Sequence, residues 1–167
     1  KGLGVAFTVG KFDGICGMGW DTISVDGVQT PLQGLLASGQ LPEPVFAFYM
    51  GNQVDGELVL GGVDSAHYSG EFAYVPLQSK GYWQVALDGL KLDGKAIGST
   101  PYAIVDSGTS LMAGPTADVN YIAKALSLGS VLGKEYTVDC SKTYDIAYTL
   151  GGKDYTFSQD EMILQNP

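Results

Sequence analysis

The sequence has no arginine and a single histidine, His67. All 9 basic residues are lysine, set against 18 acidic ones, for a formal charge of −9. Nucleic-acid binding draws on basic patches and often on forked guanidinium contacts, so no nucleic-acid partner is expected. Cysteine is as scarce: Cys16 and Cys140 have no metal-ligand spacing, and one histidine supplies a zinc site poorly. No apolar run approaches the roughly 18 residues that a membrane span needs, so no membrane span is expected. There is neither an initiator Met nor a signal-peptide pattern. The chain opens on Lys1-Gly2-Leu3-Gly4-Val5-Ala6-Phe7, which reads like a strand, and a start inside structure is the expectation for a fragment.

What is present points to β structure. Apolar residues make up 45%, ample for a core, and 24 glycines accompany 10 tyrosines and 6 phenylalanines. That mix favours short strands joined by tight turns, hence an all-β fold with a few short helices. The length of 167 residues suits one domain or pieces of two. The acidic balance keeps a protein soluble, and its self-repulsion falls as carboxylates protonate, which is compatible with an acidic working compartment.

The pattern predicts a strand over 3–9, broken by Lys11-Phe12-Asp13-Gly14. A short helix follows over 30–39, with Thr30 as its cap, Pro31 in its first turn and Gly39 at its stop. Residues 45–50 read as a buried strand, turned by 51–56 into a strand over 57–60. Further strands are predicted over 72–77 and 82–92, with Asp93-Gly94 as a hairpin turn. The apolar strand 102–105 runs straight into Asp106. The one longer helical pattern spans 115–128, with Val119, Ile122, Ala123 and Leu126 on one face and Gly129 after it. A hairpin is expected from 144–150 through Gly151-Gly152 to 155–157, and Ser158-Gln159-Asp160-Glu161 matches a capping box.

Chemistry is carried by Asp106-Ser107-Gly108-Thr109-Ser110. Gly108 allows close backbone approach. Ser107, Thr109 and backbone amides can hold the carboxylate by hydrogen bonds, orienting it and lowering its proton affinity. By itself such a turn is also what a capped loop looks like.

Its surroundings add to it. Phe12-Asp13-Gly14-Ile15-Cys16-Gly17-Met18-Gly19, Val45-Phe46-Ala47-Phe48-Tyr49 and Gly56-Glu57-Leu58-Val59-Leu60-Gly61-Gly62-Val63-Asp64 come first, then Tyr68-Ser69-Gly70 and Tyr82-Trp83-Gln84-Val85. The run 103–110 with Gly114-Pro115 completes a series that, in this order, resembles the pepsin and cathepsin D family of aspartic endopeptidases, with the plasmepsins close by. The resemblance covers essentially the whole chain. It implies a bilobal pepsin-like fold, here in part: 1–77 as the end of the first lobe with the inter-lobe sheet, and 78–167 as most of the second.

On the same resemblance, Asp106 is one of two catalytic aspartates. Thr109 would brace the active-site loops, and Gly108, Thr109 and Ser110 would contact the substrate backbone. Phe12 and Ile15 would line the pocket before the scissile bond, and Tyr82 and Ile104 the pockets beyond it. The implied partners are a peptide or protein substrate and the remainder of the same enzyme, with no metal or organic cofactor. The implied compartment is secretory, vacuolar, lysosomal or extracellular, with an acid pH optimum and sensitivity to pepstatin.

The sequence departs from the family pattern in places. The first-lobe Asp-Thr-Gly turn, the flap tyrosine and the closing apolar-apolar-Gly-Asp segment are not in these residues, so the chain by itself is expected to be inactive. Gly98-Ser99-Thr100-Pro101 stands where the family often has a small disulfide loop. Cys16 replaces a usual leucine and is expected to be a buried thiol. Cys140 resembles the first half of a family disulfide whose partner would follow Pro167. Two other readings stay open: a serine hydrolase using Ser107 or Ser110, with Asp106 orienting His67 as base, and a non-catalytic homologue that binds peptides. The first lacks a Gly-x-Ser-x-Gly elbow, and His67 in Asp64-Ser65-Ala66-His67-Tyr68 reads more simply as a plain surface residue.

Overall fold

A computed structural model describes residues 7, 9–131 and 135–164. The chain divides into two compact units, Lys1–Phe72 with Lys80–Tyr82, and Ala73–Ser79 with Trp83–Pro167. The fold is mostly β, with a few short helices.

In the first unit, helix α1 (Pro31–Ala37) begins where the sequence says it should. The Thr30 hydroxyl accepts from the Gln33 N–H, proline occupies the first turn, and Gly39 follows at φ +68°. The Thr30 N–H also donates to Asp21 at 2.9 Å, so the cap is tied to the preceding 3-10 turn. A cap of this kind contributes about 1 kcal/mol. The helix buries Leu32. Strands β1 (Phe46–Tyr49) and β2 (Glu57–Leu60) pair antiparallel, Phe46 opposite Leu60 and Tyr49 opposite Glu57. The connecting turn closes tightly enough that a Cβ on Gly56 would stand 2.5 Å from the Tyr49 carbonyl oxygen. Residues 80–82 belong here through two bonds: the Trp20 N–H donates to Gly81 O at 3.2 Å, and the Thr22 hydroxyl to Lys80 O.

The second unit is built on a four-stranded antiparallel sheet in the order β10-β9-β4-β5. Its strands are β4 (Gly89–Leu92), β5 (Lys95–Ile97), β9 (Ile146–Leu150) and β10 (Lys153–Phe157). Both its hairpins turn through two residues of positive φ, Asp93-Gly94 at 48° and 73° and Gly151-Gly152 at 58° and 76°. This is the turn chemistry that matches the strand twist. Helix α2 (Thr116–Ala125) lies against the sheet: Ile122 and Leu126 pack on the buried cluster of Leu92, Ile97, Tyr144 and Ile146. Strands β3 (Gln84–Ala86) and β6 (Tyr102–Ile104) form a separate pair, Val85 opposite Ala103. Strands β7 (Gly129–Val131) and β8 (Glu135–Thr137) form another, and the capping box of Ser158 and Glu161 opens helix α3 (Gln159–Met162).

Several expectations need correction. The strand over 3–9 lies mostly outside the described residues, and Phe7 and Val9 within it are helical; a short apolar run suits either state. The strand at 45–50 is not buried, since Phe48 and Tyr49 are exposed; a two-stranded ribbon cannot cover both its faces. Residues 72–77 form no strand beyond a bridge from Leu77 to Val85, and Pro76 has no N–H to give a ladder. The stretch 82–92 is two strands, because the chain changes neighbours between them. Leu87 donates to Pro101 O, and the next residue, Asp88, donates to Thr149 O, each at 2.9 Å. The helix at 115–128 ends at Ala125, and Ser127 at φ 53°, rather than Gly129, takes the left-handed turn.

Candidate active site

Strand β6 delivers Asp106. The Val105 N–H donates to Trp83 O at 3.0 Å, which carries the β3–β6 ladder to the residue just before it. The chain then turns, and both carboxylate oxygens are engaged from within the turn. The Gly108 N–H donates to Oδ1 at 2.9 Å, and the Thr109 hydroxyl to Oδ2 at 2.5 Å. A Cβ on Gly108 would stand 3.2 Å from Oδ1, so a side chain there would crowd the oxygen that the amide holds. The Thr109 hydroxyl first, and the Gly108 amide second, hold the carboxyl below the usual aspartate range. Both donors favour the charged form. The carboxylate is exposed, open to water and to a ligand.

Of the residues expected to hold this carboxylate, Ser107 makes no bond to it; the local bonds come from Gly108 and Thr109. Ser110 is exposed on the same turn. Ile104 on β6 is half exposed, as are Val105, Leu111 and Met112 around the turn. The last three were not singled out from the sequence, although an apolar pair placed straight after a polar turn is a legible signal. Met112 accepts a bond from the Tyr148 hydroxyl at 3.5 Å, which ties the turn to β9. The other expected pocket residues, Phe12, Ile15 and Tyr82, belong to the first unit, and all three are exposed.

Both thiols are free and exposed. This corrects the expectation of a buried Cys16, which leucine-like packing in that run suggested. Around it, Phe12 and Ile15 are exposed, so there is no core there for the thiol to enter. His67 is on the surface, its ring stacked on Tyr49 with centroids 3.9 Å apart and its Nε2 2.8 Å from Glu57. The base that a serine hydrolase would require is therefore already bound to a carboxylate of its own unit.

Compared with known proteins, residues 3–167 match the family described as eukaryotic aspartyl protease, to which the chain belongs. Among its relatives, cathepsin D of Clupea harengus is 38% identical over 99% of this chain and 44% of its own length. Vacuolar protease A of Aspergillus fumigatus is 38% identical over 97% of this chain and 43% of its own. Renin of Rattus norvegicus is 36% identical, over 98% and 42%. The chain thus spans less than half the length of these relatives. Among the described residues, no helix is long and apolar enough to cross a membrane.

Proposed function

We infer that this chain supplies Asp106 as one carboxylate of the pair with which an aspartic endopeptidase hydrolyses peptide bonds. The observation that carries this reading is the exposed Asp106 at the end of β6, with both oxygens held by donors of its own turn. Two carboxylates side by side cannot both ionise readily, so they share one proton, as the aspartate pair of pepsin does. The ionised member takes a proton from a water, which attacks the peptide carbonyl. The protonated member donates to the carbonyl oxygen, giving a tetrahedral gem-diol with no acyl-enzyme. Collapse of that diol, with a proton passed to the leaving amine, returns the pair to its starting state.

In this reading the partner aspartate comes from the remainder of the same enzyme. Residues 1–77 end the first lobe and enter the inter-lobe sheet, and 78–167 form most of the second lobe. Gly108, Thr109 and Ser110 bind the substrate backbone, Phe12 and Ile15 line the pocket before the scissile bond, and Tyr82 and Ile104 line those beyond it. The chain alone is inactive, because its sequence has one Asp-Ser-Gly-Thr turn only. Asp13-Gly14-Ile15 and Asp93-Gly94-Lys95 lack the hydroxyl residue of a second. The enzyme works in an acidic secretory, vacuolar, lysosomal or extracellular compartment; a relative named as a vacuolar protease supports that placement.

The test is Asp106→Asn in the full-length enzyme. An amide cannot exchange the shared proton, so hydrolysis of a peptide should fall nearly to background while circular dichroism stays unchanged. Near wild-type turnover by a folded variant would end the assignment.

A further inference from the structure

Away from Asp106, the first unit gathers three potential metal ligands on its surface. Glu57 lies on β2, Asp64 precedes a 3-10 turn, and His67 ends that turn. The imidazole Nε2 is 2.8 Å from Glu57 Oε2 and 4.0 Å from Asp64 Oδ2. One donor atom from each of the three falls within 4.8 Å of the others. Two ligands bound to one zinc ion at about 2.0–2.2 Å stand roughly 3–4 Å apart. Side-chain shifts of about an ångström would therefore bring all three onto a single ion.

We propose that Glu57, Asp64 and His67 form a binding site for a divalent first-row transition ion, with Zn²⁺ the natural probe. Two features go beyond a cluster of acids. The imidazole supplies a nitrogen donor, which suits zinc, copper or nickel rather than calcium or magnesium. Its ring is also already oriented: it stacks on Tyr49 at an interplanar angle of 10° with Nε2 turned to the carboxylates. The Asp64 side chain is fixed as well, because its Oδ1 accepts from the Ala66 N–H at 2.8 Å and leaves Oδ2 as the ligand. The two carboxylates carry −2, which offsets the charge of the ion. Their side chains and the ring are about one-third to one-half exposed, so an ion can reach them and keep water in an open position.

Binding through Nε2 takes the neutral imidazole with its one proton on Nδ1 and involves no redox change, while a proton on Nε2 competes with the metal. Affinity therefore falls as pH drops. The ion would tie β2 to the turn that follows it. Sequence spacing does not advertise this site, because one ligand is on a strand and two are on a turn.

His67 is the only histidine in the chain, so its ring nitrogens give an unambiguous NMR signal. The chain, labelled with ¹⁵N-histidine, is titrated with ZnCl₂ at neutral pH. The Nε2 resonance should shift and saturate at one equivalent. Glu57→Gln and Asp64→Asn should each weaken binding by about tenfold or more. Both replacements keep an oxygen acceptor, toward the ring and the Ala66 amide respectively, and backbone amide spectra report whether each variant is folded. They are independent, so loss of fold in one leaves the other to decide. No shift in tenfold excess of zinc, or equal affinity in a folded variant and the parent chain, would overturn the site and leave only a surface histidine paired with Glu57.

Discussion

Gly98 and Asp118 stand so close that a Cβ on the glycine would lie 2.7 Å from the Asp118 carboxyl carbon. The carboxylate is buried and accepts a bond from the Thr100 hydroxyl, clipping helix α2 to the loop that leads into β6. Gly98 also has a φ of +69°. Gly98→Ala combines left-handed strain with a clash against a side chain that has little room to move, and should cost about 1–3 kcal/mol. Gly152, at φ +76°, has nothing within 4 Å of an added Cβ. Gly152→Ala should therefore cost less. Urea unfolding of both variants checks the order; equal midpoints would show that the Asp118 contact is slack.

The second unit's stability rests on a small cluster, Leu92, Ile97, Tyr144 and Ile146. Ile146 pairs with both Leu92 and Phe157, so it sits in the middle of the sheet. Ile146→Ala should lose about 2–5 kcal/mol, the usual cost of a cavity at a buried aliphatic residue. Val105→Ala, at a position 63% exposed, should fall within about 0.5 kcal/mol. Differential denaturation of the two separates them, and similar losses would mean the core has been placed wrongly.

Local chemistry explains which elements were legible from sequence. Thr30, Asp93-Gly94, Gly151-Gly152 and Ser158 with Glu161 each act within a few residues, and each does in the structure what its residue type suggests. The break at Leu87 and Asp88 was illegible, because the two residues bond to partners at Pro101 and Thr149. Hydrophobic pattern does not report a change of neighbour. Exposure at Phe48 and Cys16 was missed for the related reason that an apolar residue does not state whether anything covers it. At Asp106 the turn itself was legible. The silence of Ser107, and the exposed apolar residues Leu111 and Met112, depend on the path of the turn.

Asp154 offers a pH test of the sheet. The Lys91 ammonium beside it, and then the Thr149 hydroxyl, hold its carboxyl below the usual range. Lys91 lies on β4 and Thr149 on β9, so one carboxylate on β10 spans three strands. A depressed folded-state pKa stabilises above the unfolded aspartate pKa, and that contribution is lost as pH falls through the folded value. Asp154→Asn should therefore be less stable than the parent chain near neutrality, with the gap closing in acid. The group is exposed, so salt should shrink the gap. A gap that widens in acid would contradict the sign.

Cys16 and Cys140 are both free and exposed, and each belongs to a different unit. Both should therefore stay unpaired in this chain. Iodoacetamide should modify both without prior reduction in this chain. Recovery of a linked Cys16–Cys140 peptide from a non-reducing digest would refute the prediction.

The Thr109 hydroxyl bears directly on the proposed aspartate pair. It is the larger of the two influences that lower the proton affinity of Asp106, ahead of the Gly108 amide. Thr109→Val keeps the shape of the side chain and removes the donor, so the charged form of Asp106 loses a stabilising bond and its pKa rises toward the ordinary value. In a coupled pair this acts on both apparent pKa values rather than on one residue's. The pH–rate profile of the full-length enzyme should move toward higher pH, with neither limb moving down. Turnover should also fall, since the carboxylate is less firmly oriented. The measurement is kcat/KM across the acid range for the parent, Thr109→Val and Thr109→Ser. Serine restores the hydroxyl and should return the profile to its starting position, an outcome that general loosening of the fold would not produce. A Thr109→Val profile unmoved in pH and reduced only in height would show that this hydroxyl braces the turn without tuning the acid.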